Sequence, residues 1–253
     1  GRLHVHPPRQ GHARGGQQAV LRLLRRCLRV GTTLPHGLLP VPAIDATQRR
    51  SACGYHRAMN YLAHAWLARH ADDAILGALL GDFVFGQSAL QDWPPPIRAE
   101  IVRHRRIDRY TDEHPAVVEA RGLFDAAGLR RYAGIVLDVY FDHCLARDWM
   151  RWNDMPLDAF AARVYRVLRE HREELPPRLH AIAPRMAAHD WLGSYARRDN
   201  VDHAVHGIAT RLSRNGDRLV ECLDVLRANE TAADAAFGGF FPDLIDAAAR
   251  MRL

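Results

Sequence analysis

The sequence predicts an all-α protein: a single helical domain preceded by a basic extension. Three observations predict it. From Met59 onward, apolar residues recur at three- and four-residue spacing, the period of a helix with one buried face. Strand alternation and internal repeats are missing, and no Asn-Gly pair joins two alternating segments as a hairpin would. Proline and short polar clusters break the periodic stretches at lengths typical of helices.

The elements follow in order. Met59–His70 reads as the opening helix, and Asp72 or Asp73 can cap a second that runs to about Phe85. Trp93-Pro94-Pro95-Pro96 is a stop and restart, with Pro96 suited to a first turn. Ile97–Thr111 forms the next helix, and His114-Pro115 restarts the chain into Ala116–Ala126. Arg130–Trp152 is long and broadly apolar. Pro156–Glu174 is amphipathic with arginines on its polar side, and Pro176-Pro177 breaks it. Helices near 178–191, 199–214, 217–237 and 242–252 complete the domain. Packed helices alone make its architecture.

Composition narrows the function. The 253 residues carry a net charge of +6, and every basic residue is arginine. The charge is unevenly placed. Residues 1–58 hold ten arginines against one acid, Asp45, whereas residues 59–253 hold 25 arginines against 28 acids. The domain itself is therefore slightly acidic, which argues against a general nucleic-acid binder. No apolar run approaches the roughly 20 residues of a membrane span. The cysteines, Cys27, Cys53, Cys144 and Cys222, have neither disulfide nor metal spacing, so reduced thiols in a cytoplasm are expected.

Residues 1–58 are rich in Arg, Gly, Pro and His and are expected to fold little. Ala19 to Val30 can form a basic amphipathic helix, of the kind found in a transit peptide or a surface-binding segment. The simpler reading is sequence translated ahead of a true start at Met59, where a well-patterned domain opens.

Four segments place polar chemistry inside apolar sequence. His64 lies in Met59-Asn60-Tyr61-Leu62-Ala63-His64, and Asp82 in Leu79-Leu80-Gly81-Asp82-Phe83-Val84. His104 and Asp108 stand one turn apart on a helix, with Asp112 extending their stripe. Asp138 and Asp142 repeat that spacing in Leu137-Asp138-Val139-Tyr140-Phe141-Asp142-His143. Two carboxylates on one apolar face repel unless a cation or an arginine stands between them. Arg103, Arg105, Arg106 and Arg109 surround His104, and arginine beside a metal suits phosphoryl chemistry. Each feature also has a plain reading: a core histidine, a solvated basic helix, aspartates paired with arginine. His189-Asp190 spells a metal doublet, but Asp190 fits a helix cap equally well, so the pair stands outside the primary site.

These motifs together resemble the acyl carrier protein phosphodiesterase family, over residues 59–253. The resemblance implies a helical fold related to HD-type phosphohydrolases. It also implies hydrolysis of the bond linking 4′-phosphopantetheine to a serine of holo-acyl carrier protein, with Mn²⁺ favoured and Mg²⁺ the alternative. The family aspartate required for activity matches Asp82. The expected metal ligands are Asp82, His104, Asp138, Asp142 and His64. The expected catalytic groups are Asp82, His104, Arg105, Arg106 and His143, the arginines offsetting phosphoryl charge and a histidine supplying the leaving-group proton. The protein substrate is acidic, and either the Arg103–Arg109 segment or the helix bearing Arg163, Arg166 and Arg169 can dock it. Two other readings compete: an HD-like phosphohydrolase of nucleotides or other small phosphoesters, and a helical binding module without catalysis.

Overall fold

The structure, a computed structural model, describes residues 61–252; the expectations for residues 1–58 lie outside them. Among the described residues every regular element is helical, and no helix is long and apolar enough to cross a membrane.

The first helix, α1 (Tyr61–Leu67), is buried at every residue. Its amino end points into the core, where free amide groups need acceptors. Asp142 provides them. Its two carboxylate oxygens accept from the Leu62 and Ala63 amides at 3.0 and 2.9 Å. The second helix, α2 (Asp72–Leu80), has no side-chain cap. Asp72, expected as its cap, instead receives Arg163 and Arg166 at 2.8 and 2.7 Å. The helix also stops earlier than its apolar run suggests. Gly81, Asp82 and Phe83 form a turn, and Gly86, at φ 82°, starts the short α3 (Gly86–Gln91) in a conformation that favours glycine.

The next helix, α4 (Pro95–Glu113), has 19 residues and packs against α2. Gly77 permits the approach, since a Cβ there would stand 2.5 Å from the Ile97 carbonyl oxygen. His114 caps α5 (Pro115–Gly122) by accepting the Ala116 amide at its Nδ1. Helix α6 (Arg130–Arg147) continues into a 3-10 turn at Trp149–Arg151. It is the central element, buried on most sides and packed against α1 and α5.

The remaining helices wrap this core. They are α7 (Leu157–Glu170), α8 (Pro177–Ala188), α9 (Trp191–Ser194), α10 (Asp199–Ala209), α11 (Gly216–Ala228) and α12 (Glu230–Arg250). Asp190 caps α9 by accepting the Gly193 amide while His189 ends α8, so the His189-Asp190 doublet joins two helices. The last two helices divide at Asn229 rather than between 237 and 242, and Pro242 lies inside α12. Phe237, Phe240, Phe241 and Leu244 are all buried on that helix. Burial of four such side chains, about 1.5–3 kcal/mol each, outweighs the roughly 3 kcal/mol cost of an internal proline.

Candidate metal centre

Three segments converge on one group. Helix α1 brings His64, α4 brings His104 and Asp108, and the turn after α2 brings Asp82. His64 Nε2 stands 3.0 Å from Asp108 Oδ1. His104 Nε2 stands 3.5 Å from both Asp82 Oδ1 and Asp108 Oδ2. The two imidazoles stack with centroids 3.9 Å apart. Potential donor atoms of His64, His104 and Asp108 all lie within 4.8 Å of one another. Ligands bound about 2 Å from one small cation have mutual spacings on the order of 3–4 Å, so this group needs only small adjustment to hold one.

The hydrogen bonds explain why a cation fits. His104 Nδ1 is 2.7 Å from the Ala78 carbonyl oxygen, an acceptor, so that nitrogen carries a proton. In neutral His104 this leaves the Nε2 lone pair facing two carboxylates. Such an arrangement requires either a second proton on the ring or a cation in front of it. Burial opposes a charge on His104, but Asp82 and Asp108 outweigh it and hold its pKa above the ordinary value. His64 moves the other way, lowered by burial and then by the neighbouring His104. Its Nδ1 is buried without a hydrogen-bond partner among the described residues. The neutral imidazole, with Nε2 toward Asp108, is the form that ligates metals.

Gly81 shapes the pocket for His104. A Cβ at Gly81 would stand 2.2 to 2.6 Å from atoms of the His104 ring, so the glycine before Asp82 lets imidazole and carboxylate share one corner. Gly81→Ala is expected to displace His104 and lower stability by about 1–3 kcal/mol. Thermal unfolding with and without Mn²⁺ checks this: both the midpoint and its response to Mn²⁺ should fall.

Asp138 stands beside this group. Its pKa is pushed well above the carboxylate range by burial and then by Asp108, with Arg121 acting in opposition. Asp112, at the end of the His104 stripe, pairs with Arg121. Asp142 is differently placed. Its oxygens hold the start of α1, and burial lifts its pKa to about 7 against the lowering effect of those two amides. It thus supports the helix that carries His64 and stands outside the converging donors. His143 donates from Nδ1 to the Tyr195 carbonyl oxygen at 2.7 Å, and its charged neighbours are Arg147, Arg198 and Asp234. His143 projects about 140° around α6 from Asp138, whereas Asp142 shares its face one turn on.

The arginines also divide. Arg103 is buried and binds Glu100 together with the Leu67 and Ala248 carbonyl oxygens, which makes it a structural clamp. Arg105 reaches back to the Val84 carbonyl oxygen at 2.6 Å and braces the turn that carries Asp82. Arg106 is exposed and lies about 200° around α4 from His104. Asp108, legible in the sequence as the companion of His104, is the acid that joins both histidines. Gly81 was legible only as part of a motif.

Fold and centre define a class: a helical protein with a buried histidine–carboxylate group suited to a divalent cation. The comparisons make it particular. The family model described as acyl carrier protein phosphodiesterase matches residues 59–244. The acyl carrier protein phosphodiesterase of Salmonella dublin is 38% identical over 196 residues, covering 77% of this chain and the whole of the relative. Its counterpart from Salmonella agona (strain SL483) is 37% identical over the same extent. The chain belongs to the acyl carrier protein phosphodiesterase family. No solved structure matches it.

Proposed function

We propose that this chain hydrolyses the phosphodiester joining 4′-phosphopantetheine to a serine of holo-acyl carrier protein, at a centre holding Mn²⁺ or Mg²⁺. One observation carries the reading: within the region matched to the family, His104 Nε2 faces Asp82 and Asp108, and the neutral His64 faces the same Asp108 through its Nε2. His64, His104 and Asp108 would hold the cation, with Asp82 and Asp138 completing its oxygen donors. An oxygen-rich set with two imidazoles suits Mn²⁺ or Mg²⁺ better than a structural zinc. Such a cation supplies Lewis-acid stabilisation of charge on a phosphoryl oxygen.

The chain's own groups do the rest. Arg105, braced on Val84, presents its remaining N–H groups to the phosphoryl oxygens. Water adds to phosphorus as the serine oxygen leaves, and that oxygen needs a proton. His143 is committed to Tyr195, and His64 is kept neutral as a ligand. The proton therefore comes from solvent at the partly exposed side of Asp82 and Asp108, whose side chains are 18% and 14% exposed.

The reading also makes 59–253 the catalytic domain and 1–58 a dispensable extension. A chain beginning at Met59 is expected to keep its thermal midpoint and turnover, and loss of either would give residues 1–58 a structural part. The buried free thiols Cys144 and Cys222 fit a cytoplasmic setting. Turnover of holo-acyl carrier protein against a panel of nucleotides tests the substrate class. Preference for the carrier supports the proposal. Preference for a nucleotide favours the small-substrate phosphohydrolase, and metal-independent inertness toward all favours a binding module.

A further inference from the structure

Helix α4 carries a second stripe beside the one that bears His104 and Asp108. Arg98, Arg105 and Arg109 recur at i, i+7 and i+11, which keeps them within about 40° on one side of the helix. Arg106 flanks them. Arg106 and Arg109 are exposed, and Arg98 and Arg105 are half-buried. Their hydrogen bonds go to neutral groups: Arg98 donates to the Gln91 side-chain oxygen and Arg105 to the Val84 carbonyl oxygen. Among the described residues none of the four pairs with a carboxylate.

The other arginine-rich helix is different. On α7, Arg163 and Arg166 share Asp72, and Arg166 also holds Glu170. Its charge is largely neutralised within the fold. Beside the α4 stripe stands Phe85, 67% exposed, directly after the Val84 carbonyl that Arg105 grips. A large exposed aromatic next to unmatched guanidinium groups is the composition of a protein interface anchor with a charged rim.

We infer that Arg98, Arg105, Arg106, Arg109 and Phe85 form the docking surface for an acidic face of the carrier protein. This rests on the reading of holo-acyl carrier protein as the substrate. Unmatched guanidinium groups select carboxylates, and the stripe runs along the same helix as His104 and Asp108, about 100° around it.

Charge reversal tests it in the full chain. Arg98→Glu with Arg109→Glu alters the stripe without touching the centre, and circular dichroism verifies the fold. Arg169→Glu, exposed on α7, tests the rival surface. Turnover and direct binding of holo-acyl carrier protein are measured together over a salt series. The double variant is expected to raise KM about tenfold or more at low salt and to flatten its salt dependence, as loss of steering charges requires. Arg169→Glu should behave as wild type. KM and binding unchanged in the double variant, or a larger effect from Arg169→Glu, overturns the inference. Wild-type binding without turnover, lost in the double variant, supports the docking surface while overturning the proposed hydrolysis. Absence of both binding and turnover in wild type overturns both.

Discussion

Replacing Asp82 with alanine is expected to lower turnover of holo-acyl carrier protein by about 10²–10³-fold, or 2.7–4 kcal/mol on the barrier, the range seen when one preorganised electrostatic contact is lost. Stability should change little. The Asp82 side chain is partly exposed, and its ion pair is a 3.5 Å contact with His104. Removing that charge also withdraws a group that raises the His104 pKa. His104 should therefore lose its proton at lower pH in the metal-free variant, a shift visible by imidazole NMR. Activity within about threefold of wild type would remove Asp82 from the centre.

The second large effect separates Asp138 from Asp142. Both pKa values are raised in the fold, so the folded state favours the neutral acids; the stability this contributes is present below about pH 4 and is lost as pH rises through the folded values. Their consequences differ because their contacts differ. Asp138→Asn removes repulsion with Asp108, so the metal-free protein should gain stability and its stability should vary less with pH. The same change removes a proposed ligand. A cation at 100 times its dissociation constant stabilises a protein by about 2.7 kcal/mol, roughly 5–10 °C for a domain of this size, and most of that shift should vanish. Asp142→Asn does the opposite. It replaces one of two acceptors at the start of α1 with an amide donor, so stability should fall by about 1–3 kcal/mol, while the Mn²⁺ shift largely persists. Thermal unfolding of both variants with Mn²⁺ and with chelator reads the contrast. A full Mn²⁺ shift in Asp138→Asn would move the ligand set elsewhere.

That contrast also marks what the sequence could reveal. The spacing of His104 and Asp108 announces a shared face because helical geometry is local. The same spacing in Asp138 and Asp142 announces a shared face too, but not that Asp142 meets α1 from 79 and 80 residues away. Capping across such a distance has no local signature. Arg103 reads like its exposed neighbours until packing places three acceptors around it. Gly81 looks like a helix breaker, and only the His104 ring shows what the absent side chain makes room for. The order of the longer helices was legible because proline and apolar period are local too, whereas the short α3 and α9 were not foreseen. The ends were less legible: Asn215-Gly216, a hairpin pair elsewhere, here starts α11 with Asn215 at φ 59°, and Pro242 is overridden by the aromatic packing of α12.

The central claim is hydrolysis of the carrier's phosphodiester at this centre. Intact-mass analysis of holo-acyl carrier protein after incubation with the chain and Mn²⁺ in ¹⁸O-water tests it most directly. The account predicts conversion to unlabelled apo-carrier, with ¹⁸O in the phosphate of released 4′-phosphopantetheine, and no conversion with chelator. A carrier whose mass is unchanged with Mn²⁺ present would contradict it.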